Sequence, residues 1–268
     1  MVVFLSVTAS TVWGAFEERV RGARLAGLAG ASSGLPGEIW TIPTNPATAG
    51  TVLARSLAIS VNPRPFGLAE LSSVDFAFLQ PFKPGSLAVT GSVFGSDLYR
   101  ETTVSLSAAG SLFKRFEVGV ALTAYALSIR DYGSAWTLGV TAGILVHLSE
   151  RLFLGLSVQN INEPAIGSVR ELLPQSMHAG MSYQPLPGFL IAADIAKDIL
   201  FPADLAIGFE YAPLEAFLFR GGTTLNPSTF SAGVGIRTTL LRLDYALAAH
   251  PDLGLSHVIS FAIVLEEW

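Results

Sequence analysis

Three stretches of the chain alternate large apolar residues with small or polar ones: LFLGLSV at 152–158, LAIGFEY at 205–211 and FSAGVGIR at 230–237. Successive side chains of a β-strand point to opposite faces, so each stretch predicts a strand with one bulky apolar face and one small or polar face. In the first stretch Leu154 and Leu156 would face outward, whereas Gly155 and Ser157 would face inward. The same alternation describes a strand between lipid and the lumen of a membrane barrel.

Working outward from these stretches, similar segments of about ten residues, divided by Gly, Pro, Asn and Ser turns, fill the chain from residue 51 onward. Fourteen strands are predicted, at 51–62, 69–79, 86–94, 98–108, 116–129, 135–148, 152–160, 175–184, 189–197, 204–212, 215–223, 229–237, 240–248 and 256–265. An even count places both chain ends on the periplasmic side. The last strand is expected to close the barrel against 51–62, with Trp268 contributing to assembly.

The composition requires that much apolar surface faces something other than water. Of the 268 residues, 50% are hydrophobic and only 14% are charged, and mean hydropathy is +0.51, whereas soluble domains carry roughly 25% charged residues. Apolar runs of about 20 residues, which helical membrane proteins need, do not follow the N-terminus. Because lipid cannot satisfy an open sheet edge, we predict an all-β fold, a single antiparallel transmembrane β-barrel.

The first 50 residues lack this alternation. Residues 1–15 predict a truncated secretory signal, with a buried N-terminal segment as the alternative. Residues 16–50 are rich in small residues, Gly and Pro, and predict a compact irregular plug at the barrel mouth, anchored at Asn45, Pro46 and Ala47. Residues 51–268 form the predicted barrel.

Charged residues on the inward phase lie on five consecutive predicted strands. They are Asp194, Glu210, Arg220, Arg237, Arg242 and Asp244. An Arg or Lys on the lipid face would cost about 2–4 kcal/mol near the midplane, which inward placement avoids. The first interpretation is a salt-bridge network that stiffens the wall; the alternative is the lining of a polar permeation path.

Nothing in the sequence indicates a catalytic or metal site. There is no Walker A loop and no G-x-S-x-G element, cysteine is absent, and the four His residues lack ligand spacing. The net charge of −5 and the pI of about 5.4 leave no basic surface for nucleic acid. We therefore predict a protein that is not an enzyme and uses no cofactor or metal.

Four segments together resemble the outer-membrane barrels that include PorV, PorQ and, more distantly, the FadL long-chain fatty-acid transporters. They are 21–50, which ends in NPATAG, LGLSVQNINEP at 154–164, LPQSMHAGMSY at 173–183 with Asp194 and 197–198 after it, and DYALAAHPDLGLSHVISFAI at 244–263. The resemblance implies a fourteen-stranded barrel in the bacterial outer membrane, with the Asn-Pro-Ala element in a plug. The loops are short for this family, and the longest is 161–174.

Two functions follow from the resemblance. The first is FadL-like binding or passage of small hydrophobic solutes. The alternative is a PorV/PorQ-like structural or secretion-associated subunit of type IX secretion. The partners expected are outer-membrane lipid, hydrophobic small molecules and other outer-membrane or secretion subunits. An outer-membrane enzyme is the least favoured hypothesis.

Overall fold

The computed structural model describes residues 14–199 and 201–267, in which fourteen antiparallel strands close into one barrel. The barrel strands are β1 (Ala54–Asn62), β2 (Ser73–Phe82), β3 (Gly85–Gly95), β4 (Tyr99–Leu112), β5 (Phe116–Ile129), β6 (Gly133–His147), β7 (Leu152–Val158), β10 (Ser176–Leu186), β11 (Phe189–Asp198), β12 (Asp204–Leu214), β13 (Phe217–Leu225), β14 (Ser228–Arg237), β15 (Leu241–His250) and β16 (Gly254–Glu267). The predicted all-β class, the strand number and the antiparallel barrel are confirmed. Two short strands, β8 (Ala165–Ile166) and β9 (Glu171–Leu172), form a separate hairpin between β7 and β10.

The barrel closes where the first strand pairs with the last. Ile59 of β1 lies opposite Phe261 of β16 and Ser60 lies opposite Ser260, with a shift of register between Arg55 and Ser56. Closure confirms the predicted pairing and removes the sheet edges that lipid could not satisfy. Residue 268 and residues 1–13 lie outside the described residues, so the interpretations of Trp268 and of the signal stay predictions.

The two rims differ in the length of their connections. The terminal rim carries both ends of the barrel, near Ala54 and Glu267, and short turns such as 187–188 and 215–216. The loop rim, at the opposite end, carries the longer connections, including 63–72 and the 159–175 loop with its hairpin. Most side chains of functional interest lie between these rims, inside the barrel.

The faces of the wall follow the predicted alternation. On β7, Leu154 and Leu156 are 38% and 54% exposed on the outer surface, while Gly155 and Ser157 are buried on the inner one. Large apolar side chains cover the outer surface of all the remaining barrel strands in the same way. Water solvates such a surface poorly and lipid solvates it well, so the barrel is a transmembrane one.

Several predicted strand ends are wrong; β4, for example, continues to Leu112, four residues beyond the predicted end. At three of the ends, side chains that bind the backbone locally explain the difference. Residues 51–53 precede β1, since Thr51 donates to the Thr48 carbonyl, 2.6 Å away, and closes the 3-10 turn Pro46–Thr51. Residues 69–71 form the 3-10 turn Ala69–Leu71, closed by Ser72. Strand β7 ends at Val158, two residues before the predicted end, because Asn160 has a φ of 53° and its side chain donates to the Pro174 carbonyl.

The N-terminal segment, residues 16–50, lies inside the barrel and contacts opposite walls. It contains helix α1 (Ala23–Gly27) and two 3-10 turns, Ile39–Thr41 and Pro46–Thr51. Helix α1 packs against β14 and β15, whereas the second turn packs against β4 and β5. Within residues 14–199 and 201–267, no helix is long and apolar enough to cross a membrane.

Glycines on the inner face of the wall make this packing possible. A Cβ at Gly155 would overlap the carbonyl group of Ser33, and one at Gly208 would lie 2.6 Å from the carbonyl oxygen of Leu28. These inward glycines, which sequence reasoning explained only as small lumen residues, let the backbone of the segment lie directly on the backbone of the sheet.

Candidate functional site: a lumen divided into two cavities

The larger cavity opens toward the loop rim and has a volume of about 780 Å³. Its floor is the N-terminal segment, its sides are inward residues such as Thr123 and Thr141, and loop residues such as Pro174 and Leu253 border its mouth. The volume falls in the range of small-molecule sites.

An aromatic pair forms one apolar wall of this loop-rim cavity. Phe16 meets the ring of Tyr125 edge-on, with centroids 5.1 Å apart. The hydroxyl of Tyr125 donates to Asn160 Oδ1 at 3.0 Å, which fixes the ring against the wall. Ring edges and faces of this kind bind flat apolar solutes well.

The remaining lining of the loop-rim cavity is strongly charged. Two guanidinium groups line it, those of Arg19 and Arg21, together with His178 and His250. The carboxylates that line it are Glu17, Glu18, Asp194, Asp198, Asp204 and Asp252. Because the ion pair between Glu18 and His178 requires a protonated His178, six carboxylates stand against two guanidiniums and one imidazolium. The excess of three negative charges makes the cavity oppose anions.

Polar contacts attach the segment to β10 and β11. Glu18 lies 3.1 Å from Nε2 of His178, a buried residue of β10. Burial raises the pKa of Glu18, but attraction to His178 and Arg21 outweighs it and holds that pKa below its ordinary value. Asp194 of β11, predicted to be a lumen charge, accepts hydrogen bonds from the backbone N–H groups of Ser32 and Ser33 at 3.1 and 2.6 Å.

The residues Asn45, Pro46 and Ala47 lie at the base of the segment, against β5 and β6. The Asn45 side chain donates to the carbonyls of Ser33 and Ile144, and its Oδ1 accepts from the Ala47 backbone N–H. It therefore caps the turn that Pro46 begins and fixes that turn to the wall. All three residues are buried.

A network of ion pairs crosses the middle of the lumen. Arg220 binds Glu210 and Asp244, each at 2.6 Å. Arg24 of the segment also binds Glu210, at 2.8 Å, and binds Glu38 at 3.0 Å. Because both carboxylates of the wall and one of the segment share two guanidiniums, the network fixes the segment to β12, β13 and β15.

Of the six predicted lumen charges, Glu210, Arg220 and Asp244 form ion pairs with one another. Asp194 belongs to the cluster around His178, nearer the loop rim. Arg237 and Arg242 face each other across β14 and β15 and line the second cavity. The six residues thus lie in three parts of the lumen.

The second cavity, of about 390 Å³, opens at the terminal rim. The Ile39–Thr41 turn, the start of β1, and inward residues of β15 and β16 line it. The N-terminal segment thus separates two chambers, and Trp40 lines both of them.

Sequence reasoning missed the partners that the segment contributes. Glu18, Arg24, Glu38 and Trp40 lie in a stretch without periodicity, and their contacts span up to 186 positions of chain. No spacing signal predicts such contacts. The described residues contain no group of three His, Asp or Glu side chains arranged to hold a metal ion.

The fold and the divided lumen define the class: a fourteen-stranded transmembrane barrel whose own N-terminal segment fills its middle. No protein-family model matches the chain, and no curated protein matches it in sequence. Solved structures do match in fold. The toluene transporter TodX of P. putida has 13% identity and a TM-score of 0.69, over 92% of this chain and 99% of that one.

Two further structures support the same fold. The toluene transporter TbuX of Ralstonia pickettii has 13% identity and a TM-score of 0.68, covering 90% of this chain and 98% of its own. A FadL homologue of Pseudomonas aeruginosa has 12% identity and a TM-score of 0.64, covering 90% and 97%. The chain therefore has the fold of these FadL-type transport barrels.

Proposed function

We propose that the protein is a non-catalytic barrel of the bacterial outer membrane that binds small hydrophobic solutes and lets them pass, with residues 16–50 as its plug. The observation that carries the proposal is the loop-rim cavity, which reaches from the mouth to the segment within a closed barrel. Structures of the same fold include toluene transporters, which supports a solute of similar size.

The cavity has the features that such a solute requires. Phe16 and Tyr125 supply aromatic surface, and Val20, Leu25 and Trp40 supply apolar surface on the segment. Transfer of apolar area from water to this lining stabilises the bound solute by about 25 cal/mol per Å². A cavity of about 780 Å³ holds a molecule of toluene size together with several waters.

The plug would keep the solute in the loop-rim cavity and out of the terminal-rim cavity until residues 16–50 move. Its attachments differ in strength along its length: the ion pairs of Arg24 are buried, whereas Glu17 and Glu18 lie at the cavity edge. A path for a solute would therefore pass the segment, not the closed wall. The secretion-associated alternative is not supported by the structural similarities and stays a prediction.

Uptake of radiolabelled toluene tests the proposal. A Gram-negative host that makes the protein in its outer membrane should take up toluene several-fold faster than the host without it. Ser105→Trp places an indole inside the cavity that Ser105 lines and should abolish the gain. Leu106→Trp, one position along β4 on the exposed outer face, is the matched control and should keep it.

Uptake no faster than in the host without the protein would contradict the proposal, provided that the protein shows heat-modifiable mobility on gels and is therefore folded. Equal uptake by the Ser105→Trp and Leu106→Trp proteins would also contradict it, since the solute would then not use the lumen.

A further inference from the structure

We infer that the indole ring of Trp40 is the partition between the two cavities and sets the size of what crosses the barrel; the inference rests on the proposed function. Among residues 14–199 and 201–267, only Trp40 lines both the 780 Å³ cavity and the 390 Å³ cavity. The side chain is only 3% accessible, so Trp40 is packed tightly within the layer that lies between the two cavities.

Buried side chains of the N-terminal segment pack around Trp40. Leu28 and Ile42 have no exposed surface, and Leu25, Leu35 and Ile39 are at most 5% exposed in the same apolar cluster as Trp40. Thr41, next in the chain, is also fully buried. These side chains surround Trp40, the residue that borders both cavities.

The position of the ring is fixed from below by Gly22. A Cβ on Gly22 would overlap Cδ1 and Cγ of the Trp40 indole, so only glycine leaves room for the ring there. Gly22 also has a φ of +80°, a conformation that disfavours other residues. Two independent features of one residue thus allow the indole to lie across the junction.

The backbone that carries the ring is fixed by the lumen ion pairs. The Trp40 N–H donates to Oε1 of Glu38, and Oε2 of Glu38 accepts from Arg24. Arg24 is in turn bound to Glu210 of the wall. The backbone of Trp40 is therefore coupled to β12 through a chain of hydrogen bonds, which fixes the point from which the indole extends.

Ionic conductance in planar lipid bilayers tests the assignment without using a hydrophobic solute. Trp40→Ala should join the cavities and raise single-channel conductance at least tenfold above that of the wild type. Trp40→Phe, which keeps an aromatic ring, should raise it much less. Trp136→Ala, which removes a 71% exposed indole from the outer face of β6, is the matched control and should leave it unchanged.

Trp40→Cys provides a second measurement, because the chain has no cysteine of its own. Its conductance should exceed that of the wild type, fall when a bulky methanethiosulfonate reagent modifies the thiol, and recover on reduction. Folding of each variant is checked by heat-modifiable gel mobility. Conductance of folded Trp40→Ala or Trp40→Cys equal to that of the wild type, or no response of Trp40→Cys to the reagent, overturns the inference.

The proposed passage of hydrophobic solutes and the proposed partition by Trp40 can be refuted independently of each other. Wild-type protein that does not accelerate toluene uptake contradicts passage of hydrophobic solutes, yet Trp40→Ala would still conduct ions. Conversely, unchanged conductance in the Trp40 variants refutes the partition but leaves toluene uptake by the wild type intact.

Discussion

Arg220 of β13 reaches across strand β14 to donate to Asp244 of β15 at 2.6 Å, and Gly235 lies directly beneath the contact. A Cβ on Gly235 would overlap Asp244 Oδ1 and lie 2.9 Å from both terminal nitrogens of Arg220. A glycine therefore lets two residues that are not on adjacent strands form an ion pair.

Gly235→Ala should separate this pair and destabilise the barrel by about 1–3 kcal/mol, the usual cost of forcing atoms into a filled site. The free energy of unfolding, measured by urea titration in lipid vesicles, checks this. Gly110→Ala on β4 is the control, because its Cβ would meet nothing closer than 3.4 Å. Equal stabilities of the two variants would show that the Arg220–Asp244 contact is not constrained by Gly235.

The assignment of the outer face to lipid and the inner face to the lumen can be tested with two variants, each of which places one arginine on one of the two faces. Leu156→Arg puts a cation on the outer surface, where lipid should make it cost about 2–4 kcal/mol. Thr123→Arg puts the same charge in the loop-rim cavity, where water and the nearby carboxylates stabilise it. We expect refolding titrations to show a clear loss only for Leu156→Arg; similar losses would contradict the assignment of the two faces.

Attachment of the N-terminal segment should weaken in acid. Because the pKa of Glu18 is lowered in the folded protein, its contact with His178 contributes stability that is present above the ordinary value of 4.5, as long as His178 is protonated, and is lost as pH falls below that value. Hydrogen exchange of residues 14–22, corrected for intrinsic rates, should accelerate below about pH 4.5. Glu18→Gln should exchange faster at neutral pH and lose most of this dependence.

Glu150→Gln is the control for that experiment, because Glu150 lies on an exposed turn of the terminal rim and leaves the Glu18–His178 contact in place. The same acid dependence in Glu18→Gln as in the wild type would show that another group attaches the segment.

The charge of the loop-rim cavity predicts discrimination between solutes of equal size. Its excess of three negative charges should make benzoate a much weaker competitor of toluene uptake than the neutral benzyl alcohol. Replacing Asp204 and Asp252 by Asn should reduce the difference, and so should high salt, which screens exposed charges. Competition by benzoate as strong as that by benzyl alcohol would contradict the electrostatic argument.

The barrel could be predicted from the sequence because the two faces of each strand lie in different surroundings, one against lipid and the other against the lumen. Lipid requires bulky apolar side chains and the packed lumen requires small ones, so the alternation marks the strands, and the predicted 116–129 agrees with Phe116–Ile129. The exceptions, such as 69–71, lie where a serine hydroxyl binds the backbone, which no periodicity reveals.

The interior was less predictable for a related reason. Inward phase alone identified Glu210, Arg220 and Asp244, but whether two inward charges meet depends on their height in the barrel and on what lies between them. Arg237 and Arg242 share the phase yet lie near the terminal-rim ends of β14 and β15, where they line the terminal-rim cavity together with Asp244. The contact of Trp40 with Gly22 depends on the path of an aperiodic segment, so it required the three-dimensional structure.

The central claim, that the loop-rim cavity binds a small hydrophobic solute, is tested most directly by a crystal of the protein soaked in iodobenzene, whose iodine scatters anomalously. The account predicts an anomalous peak inside the barrel, beside Phe16 and Tyr125 and on the loop-rim side of Trp40. Peaks confined to the outer apolar surface, with none in the lumen at saturating iodobenzene, would contradict it.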